Sequence, residues 1–197
     1  MTEKIKSIIK ASIDTKQQLL QNEELLKRIE TVAELIANAF KKDKRLYLCG
    51  NGGSAADAQH LAAEFSGRFY KDRKTLPAEA LHCNTSYLTA VANDYSFDEV
   101  YSRLIEGTGK QGDVLLGIST SGNSKNIIKA LEAAKQNKLV TVGLTGSTGG
   151  NMKNSCDYLI NIPSTDTPRI QESHIMVGHI ICQLVEEKIF QTPLNLP

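Results

Sequence analysis

The sequence predicts an α/β protein: a doubly wound, five-stranded parallel sheet flanked by helices, with a pair of helices at the N-terminus. Short apolar runs bounded by turns alternate with amphipathic stretches, and two of the runs lead directly into glycine- or serine-rich turns. Strands that alternate with helices are typical of a parallel sheet covered on both faces. The 197 residues are expected to form a single domain, residues 1–197.

The first forty residues place apolar side chains at helical spacing, which predicts two helices before any strand. The side chains that carry this pattern are Ile5, Ile8, Ile9, Ile13, Leu19, Leu20, Ile29, Val32, Leu35 and Ile36. A leading pair of helices often packs on a neighbouring subunit. Residues 1–42 are therefore expected to take part in oligomer contacts.

The rest of the chain predicts alternating strands and helices. The strands are expected at Leu46–Cys49, Ala78–Leu81, Val114–Ile118, Val140–Leu144 and Tyr158–Ile162. The helices are expected at Ala55–Arg68, Ser86–Ala92, Phe97–Gly107, Ser124–Asn137 and Arg169–Phe190. Ligands of such sheets bind at the carboxyl ends of the strands, so the site is expected at that edge.

The composition excludes several classes of protein. A formal charge of +1 gives no electrostatic reason to expect a nucleic-acid or membrane partner. Charged residues interrupt the apolar ones near the N-terminus, unlike a signal peptide, and no apolar run reaches spanning length, so a cytoplasmic location is expected. The four cysteines are too scattered for a zinc ribbon or a disulfide scaffold.

The first glycine-rich turn, Gly50–Ser54, leaves an apolar run and enters a helix, which is the form of an anion-binding cradle. Glycines allow backbone N–H groups to converge on a ligand, and the helix N-terminus adds partial positive charge. The turn lacks the Gly-Lys-Ser/Thr ending of a nucleotide-binding P-loop and the third glycine of the dinucleotide fingerprint. A nucleotide ligand is therefore not favoured.

The second turn gathers four hydroxyl groups in one loop, from Ser119, Thr120, Ser121 and Ser124. Ser124 is placed to cap the helix that follows. One capping serine needs no further function, but four hydroxyls exceed that need and suit a phosphate, which accepts many hydrogen bonds. The alternative is a merely polar turn.

Two helices carry candidate groups for acid–base or metal chemistry. His60 and Glu64 are four residues apart and share a helix face, although such a pair is more often simply solvated. The last helix carries Gln171, Glu172, His174 and His179, with His174 the best candidate for a residue on a wet face. Gln171 and His179 are eight residues apart, about 12 Å along a straight helix, and cannot easily meet at one point.

Together these residues resemble one family. The stretches that carry the resemblance are Gly50-Asn51-Gly52-Gly53-Ser54-Ala55-Ala56-Asp57-Ala58-Gln59-His60, Glu64, Gly67-Arg68, Asn93-Asp94, Gly117 to Ser124, and Arg169-Ile170-Gln171-Glu172-Ser173-His174. They closely resemble the sugar isomerase (SIS) domain of the phosphoheptose isomerase family, over nearly the whole chain. The resemblance implies a single SIS domain.

The family converts sedoheptulose 7-phosphate to D-glycero-D-manno-heptose 7-phosphate, the first step towards the ADP-heptose of bacterial lipopolysaccharide. The resemblance implies that the phosphate is held by Ser119, Thr120, Ser121 and Ser124. It implies sugar contacts from Asn51, Gly52, Gly53, Ser54, Glu64, Asn93, Asp94 and Gln171. It further implies a catalytic pair, Glu64 and His179, one zinc ion per subunit on His60, Glu64, Gln171 and His179, and a homotetramer.

The family's reaction moves protons between neighbouring carbons and oxygens through an enediol, for which one base and one acid suffice. Glu64 is expected to move the carbon-bound proton and His179 to serve O1 and O2, or the reverse. Zinc on the same side chains would compete with that role. One departure is Pro168, where some members place an aspartate. The competing hypothesis is a non-catalytic SIS-domain protein that binds the DnaA replication initiator.

Overall fold

The computed structural model describes residues 1–190 and contains five parallel strands in the spatial order β2-β1-β3-β4-β5. The strands are β1 Leu46–Cys49, β2 Ala78–Ala80, β3 Val114–Ile118, β4 Val140–Thr145 and β5 Tyr158–Asn161. Each neighbouring pair is parallel, with Leu48 opposite Leu116 and Leu116 opposite Val142. The predicted fold class is confirmed.

Seven α-helices lie among the described residues. They are α1 Thr2–Leu20, α2 Glu23–Lys41, α3 Gly53–Ser66, α4 Thr85–Asp94, α5 Ser102–Thr108, α6 Lys125–Gln136 and α7 Thr167–Ile189. The single helix predicted over Phe97–Gly107 is wrong, because a 3₁₀ turn at Phe97–Glu99 precedes a separate α5. Between the two, the buried Tyr101 donates from its hydroxyl to the Gly50 carbonyl at 2.6 Å, a tertiary contact that coincides with the break.

The strands divide the core into two layers because successive side chains point to opposite faces. Leu46 and Leu48 of β1 pack towards α1, α2, α3 and α7, whereas Tyr47 and Cys49 pack towards α4, α5 and α6. Both faces of the sheet are therefore buried, which explains why the strands read as continuous apolar runs.

The strand order reverses between β1 and β3. From β1 the chain continues outward to β2, then returns to the other side of β1 to form β3. The turns that follow β1 and β3 are therefore neighbours, since Cys49 at the end of β1 lies opposite Gly117 of β3. A reversal of this kind opens a crevice at the carboxyl edge, where open α/β sheets bind ligands.

Helix α1 leaves an apolar stripe uncovered in the single chain. Its exposed members are Ile5, Ile8, Ile9 and Ile13, each about half exposed, together with Leu20. The helix is anchored to α7, because Arg169 donates to the Ile8 carbonyl at 2.9 Å and Ser12 donates to Glu172 at 2.6 Å. Within residues 1–190, no helix combines the length and apolar character needed to cross a bilayer.

Candidate active site

The turn after β1 depends on two glycines. At Gly50, an added Cβ would lie 2.3 Å from the Ser54 carbonyl oxygen, and Gly52 adopts φ 55° and ψ −122°, which L side chains rarely tolerate. The Ser54 N–H donates to the Asn51 carbonyl at 3.0 Å, and the Ser54 side chain is almost fully buried. The backbone of this turn is thus closely packed at the start of α3.

The turn after β3 holds its hydroxyl groups against one another. Ser119 Oγ lies 2.9 Å from Ser124 Oγ and 3.5 Å from Ser121 Oγ. Ser124 occupies the N-cap position of α6, as predicted, but its side chain makes no capping bond, because its hydroxyl pairs with Ser119 instead. The free N–H groups of α6 and the hydroxyls therefore remain together at one end of the crevice.

A reciprocal pair of side-chain amides joins the two turns. Asn51 Nδ2 donates to Asn126 Oδ1, and Asn126 Nδ2 donates to Asn51 Oδ1, each at 2.9 Å. Asn126 is 3% exposed, and its Oδ1 also accepts from the Ile127 N–H. The Asn51 side chain, predicted to contact the sugar, thus braces one turn against the other. Sequence reasoning missed Asn126, which no spacing rule distinguishes from an ordinary residue of the first helical turn.

Helices α3 and α7 bring three of the predicted catalytic and metal-binding side chains together. His60 Nε2 lies 3.0 Å from His179 Nε2 and 3.1 Å from Glu64 Oε1. The His60 side chain is half exposed, while that of Glu64 is 23% exposed. The His179 ring also packs near the Phe69 ring, with 5.6 Å between centroids. A carboxylate and two imidazoles at this spacing and exposure have the chemistry that proton transfer requires.

The contacts between α3 and α7 show that these helices run side by side in the same direction. An added Cβ on Gly53, at the start of α3, would lie 2.5 Å from Gln171 Nε2. Further along, one on Gly178 would lie 2.6 Å from the Leu61 methyl groups, next to the contact between His60 and His179. Gln171 therefore lies at the first residue of α3 and His179 beside its middle, as their eight-residue separation predicted.

This separation affects the four-residue zinc set. Two ligands on a tetrahedral zinc ion with Zn–N distances of about 2.0 Å lie about 3.3 Å apart. The contacts of His60 with His179 and Glu64 match that spacing and offer donors that zinc accepts. Within residues 1–190, however, no three His, Cys, Asp or Glu side chains already surround one metal-sized point, and Gln171 lies against Gly53. His60 is thus spaced from both His179 and Glu64 as two zinc ligands would be, but the predicted set of four ligands is not assembled around one point.

Other predicted residues lie elsewhere. Asn93 and Asp94 are exposed at the end of α4, where Asn93 Nδ2 donates to Asp94 Oδ1 at 2.9 Å. His174 is fully buried with Nε2 3.2 Å from the Thr145 carbonyl oxygen, and burial lowers its pKa to about 4. Its predicted wet position is therefore wrong, because α7 turns this face towards the sheet.

A hydroxyl-lined cavity of about 270 Å³ opens beside the serine-rich turn. Its lining is Thr120, Ser121, Asn123, Gly146, Ser147, Thr148, Ser164, Thr165, Thr167 and Ile170. Two larger cavities, of about 430 and 450 Å³, lie at the amino ends of the strands and are lined by none of the predicted site residues. Of these three cavities, the one at the carboxyl edge suits a ligand rich in hydroxyl groups.

Comparisons with known proteins agree with this geometry. The SIS domain family model matches residues 10–146. A phosphoheptose isomerase from Aneurinibacillus thermoaerophilus is 55% identical over 97% of this chain and 96% of its own, and one from Clostridium acetobutylicum is 50% identical over 94% and 95%. The structure of the phosphoheptose isomerase GmhA from Neisseria gonorrhoeae has a TM-score of 0.89 at 41% identity, covering 94% of this chain and 98% of that one.

The family model ends at Gly146, before α7, so it covers both turns and α3 but not His179. The full-length relatives extend the likeness across α7, since they cover nearly the whole of this chain. With both turns, α3 and α7 included in matches at 50% identity or more, this chain belongs to the phosphoheptose isomerase family of SIS-domain proteins.

Proposed function

We propose that the chain is an aldose–ketose isomerase that converts sedoheptulose 7-phosphate to D-glycero-D-manno-heptose 7-phosphate, the first step of ADP-heptose biosynthesis. The observation that carries this proposal is the contact of His60 with both Glu64 and His179, on helices α3 and α7. Helix α3 begins directly after β1, beside the hydroxyl-rich turn that follows the neighbouring strand β3. The names and near-complete coverage of the relatives support it. They give no support to the DnaA-binding alternative.

The substrate phosphate is assigned to the turn after β3. Ser119, Thr120, Ser121 and Ser124 supply hydroxyl donors, and the start of α6 supplies backbone N–H groups with partial positive charge. The neighbouring cavity is lined by further hydroxyls that suit the polyol chain of a sugar. The proposed sugar contacts are Gly52, Gly53, Ser54, Asn93, Asp94 and Gln171, with Asn51 contributing mainly through its bond to Asn126.

Isomerisation of the ketose moves one proton from C1 to C2 and another from O1 to O2. We assign the carbon-bound proton to Glu64, which removes it from C1 to form the enediol and returns it to C2. His179 protonates O2 as the enediol forms and accepts the O1 proton as it collapses to the aldose. His60 bonds to one of these partners at a time, depending on its tautomer, and so holds the pair together.

Zinc belongs to the proposal through His60, Glu64 and His179, whose atoms have suitable type and pairwise spacing. When bound there, zinc would supply Lewis-acid polarisation of the substrate carbonyl. Gln171 lies against Gly53 rather than this cluster, so the three side chains would hold the metal without it.

The active protein is proposed to be a cytoplasmic homotetramer. The exposed isoleucine stripe of α1 supports assembly, because an uncovered apolar stripe of this kind is typical of an interface. The stripe lies on the helix that anchors to the N-terminal part of α7, close in the chain to Gln171. Assembly would therefore place a second subunit near one end of the active-site crevice.

The proposal is tested by incubating purified protein with sedoheptulose 7-phosphate and following the aldose C1 proton by NMR. Wild-type protein is expected to produce the aldose, and Glu64→Gln and His179→Ala are expected to lose at least about a hundredfold in kcat, as for loss of a general acid or base. Glu30→Gln removes the same charge from an exposed position on α2 and serves as the control. Absence of wild-type turnover, or full turnover by both active-site variants, would refute the assignment.

A further inference from the structure

Helix α7 carries one side of a buried ion pair, Glu186, two turns beyond His179. Arg73 Nε and Glu186 Oε1 lie 2.8 Å apart, with the two side chains only 3% and 1% exposed. A buried ion pair carries a high desolvation cost and frequently adds nothing to stability compared with apolar residues. Stability alone therefore gives a weak reason for placing this pair in the interior.

Arg73 holds the end of the helix that carries His60 and Glu64. Its Nη2 donates to the Glu64 carbonyl at 2.8 Å, and its Nη1 donates to the Phe65 and Gly67 carbonyls at 2.7 and 3.1 Å. The last carbonyls of a helix lack partners within the helix, so a cation placed here satisfies them and interacts favourably with the helix dipole. The guanidinium thus fixes the backbone at Glu64 itself.

Glu186 holds the segment that packs on His179. Its carboxylate accepts the backbone N–H groups of Phe69, Tyr70 and Lys71, at 3.2, 3.0 and 3.2 Å. The Phe69 ring in that segment lies 5.6 Å from the His179 ring, between centroids. The ion pair is therefore bonded through Arg73 to the backbone of Glu64. Through Glu186 it is bonded to the backbone of Phe69, whose ring packs on His179.

We propose that Arg73 and Glu186 are positioning residues that set the separation and orientation of Glu64 and His179. This inference rests on the proposed isomerase function. The pair is well placed for this role because Glu186 and His179 lie on the same helix, while Arg73 ties that helix to the end of α3. Both residues act through Glu64 and Phe69 rather than through the substrate.

The test compares Arg73→Lys and Glu186→Gln with wild type in steady-state kinetics on sedoheptulose 7-phosphate. Each variant is expected to lower kcat by about 10- to 100-fold, as expected for a small misplacement of catalytic groups, while KM stays within about threefold because the phosphate turn lies at the other end of the site. The imidazole NMR signals of His60 and His179 are expected to move, while those of His174 stay in place.

Val185→Ala is the matched control, since Val185 is fully buried next to Glu186 and its truncation destabilises α7 without touching the network. A kcat loss in Val185→Ala equal to that of Arg73→Lys, at the same loss of Tm, would overturn the proposal. So would an unchanged kcat with unmoved His179 signals in Arg73→Lys. If the single variants unfold, the double variant Arg73→Met/Glu186→Leu is used, because its apolar side chains fill the same space. A normal kcat in that folded double variant would equally overturn the proposal.

The histidine spectra separate this inference from the proposed function. If wild-type protein fails to convert sedoheptulose 7-phosphate, the proposed substrate is wrong, and the NMR signals of His179 still report whether the ion pair positions that ring. Shifted His60 and His179 signals with a fixed His174 signal support positioning in either case. Unshifted signals refute it.

Discussion

Asn51 and Asn126 donate to and accept from each other, at 2.9 Å in both directions, and so tie the turn after β1 to the turn after β3. Asn126→Ala is expected to leave the Asn51 amide without its partner and to destabilise the protein by about 1–3 kcal/mol. For a chain of this length the loss corresponds to several degrees in Tm, at about 2–4 °C per kcal/mol. It is also expected to raise KM, because the turns lose their fixed spacing.

Thermal unfolding and Michaelis kinetics of Asn126→Ala check this prediction. Asn126→Asp is the informative companion, since it keeps the oxygen that accepts from Asn51 and Ile127 but loses the donated bond. An unchanged Tm and KM in Asn126→Ala would show that the amide pair braces nothing.

Loss of hydroxyls from the turn after β3 is expected to weaken phosphate binding. Ser119→Ala and Ser124→Ala each remove one partner of the 2.9 Å hydroxyl pair. Hydrogen bonds to charged groups contribute about 1.5–3 kcal/mol, so KM is expected to rise about 10- to 100-fold. Inhibition by inorganic phosphate should weaken in parallel. Ser102→Ala, a buried serine that bonds to Glu99, is the control, and equal effects in all three variants would contradict the assignment.

The buried His174 is expected to make the protein less stable in mild acid. Burial lowers its pKa to about 4 from the ordinary 6.5, so between these values the unfolded chain binds a proton that the folded protein does not. Stability contributed by this ring is full above about pH 6.5 and is lost as the pH falls towards about 4. At about pH 5 the loss amounts to roughly 2 kcal/mol.

Urea unfolding at about pH 7.5 and about pH 5 measures this dependence. His174→Gln keeps a donor for the Thr145 carbonyl but cannot titrate, and its stability should fall less between the two pH values than that of wild type. Parallel losses in the two proteins would place the acid sensitivity in other groups.

The zinc proposal predicts a metal content that depends on His60 and His179. Purified protein is expected to retain about one zinc ion per chain, and His60→Ala is expected to lose most of it, because structural and catalytic zinc sites need three or four protein ligands. Elemental analysis after dialysis measures this directly. His82→Ala, which removes a histidine after β2, should retain the metal, and equal zinc content in wild type and His60→Ala would remove His60 from the site.

Assembly through α1 is expected to depend on its exposed isoleucines. Ile9→Glu places a charge in the middle of the stripe, where Ile9 is 54% exposed, and should shift a tetramer towards smaller species. Light scattering after size-exclusion chromatography reports the mass. Lys4→Glu, on the same helix but outside the stripe, should leave it unchanged. A wild-type protein that is already monomeric would rule out the tetramer.

The sequence was sufficient for elements whose signals are local. The strands before both turns follow from short apolar runs. The helices of the first forty residues follow from periodicity, and so does the pairing of His60 with Glu64 on one helix face. Residues that act through the tertiary structure were not predictable. Asn126, Arg73 and Glu186 have no spacing that marks them, because their partners lie far away in the chain. Tyr101 likewise lies at a break between two helical segments that the local sequence does not mark, and it bonds to a carbonyl 51 residues earlier.

The close approach of Gly178 to Leu61 also limits how the protein can change. A single added methyl carbon there would lie 2.6 Å from the methyl groups of the buried Leu61, so the packing of α3 on α7 beside His60 and His179 depends on a residue that has no side chain. Directed evolution of this scaffold should therefore accept changes at the outer faces of both helices more readily than at position 178. A search for altered substrate preference is best directed to the residues of the hydroxyl-lined cavity other than Thr120 and Ser121, where changes leave the contact between His60 and His179 untouched.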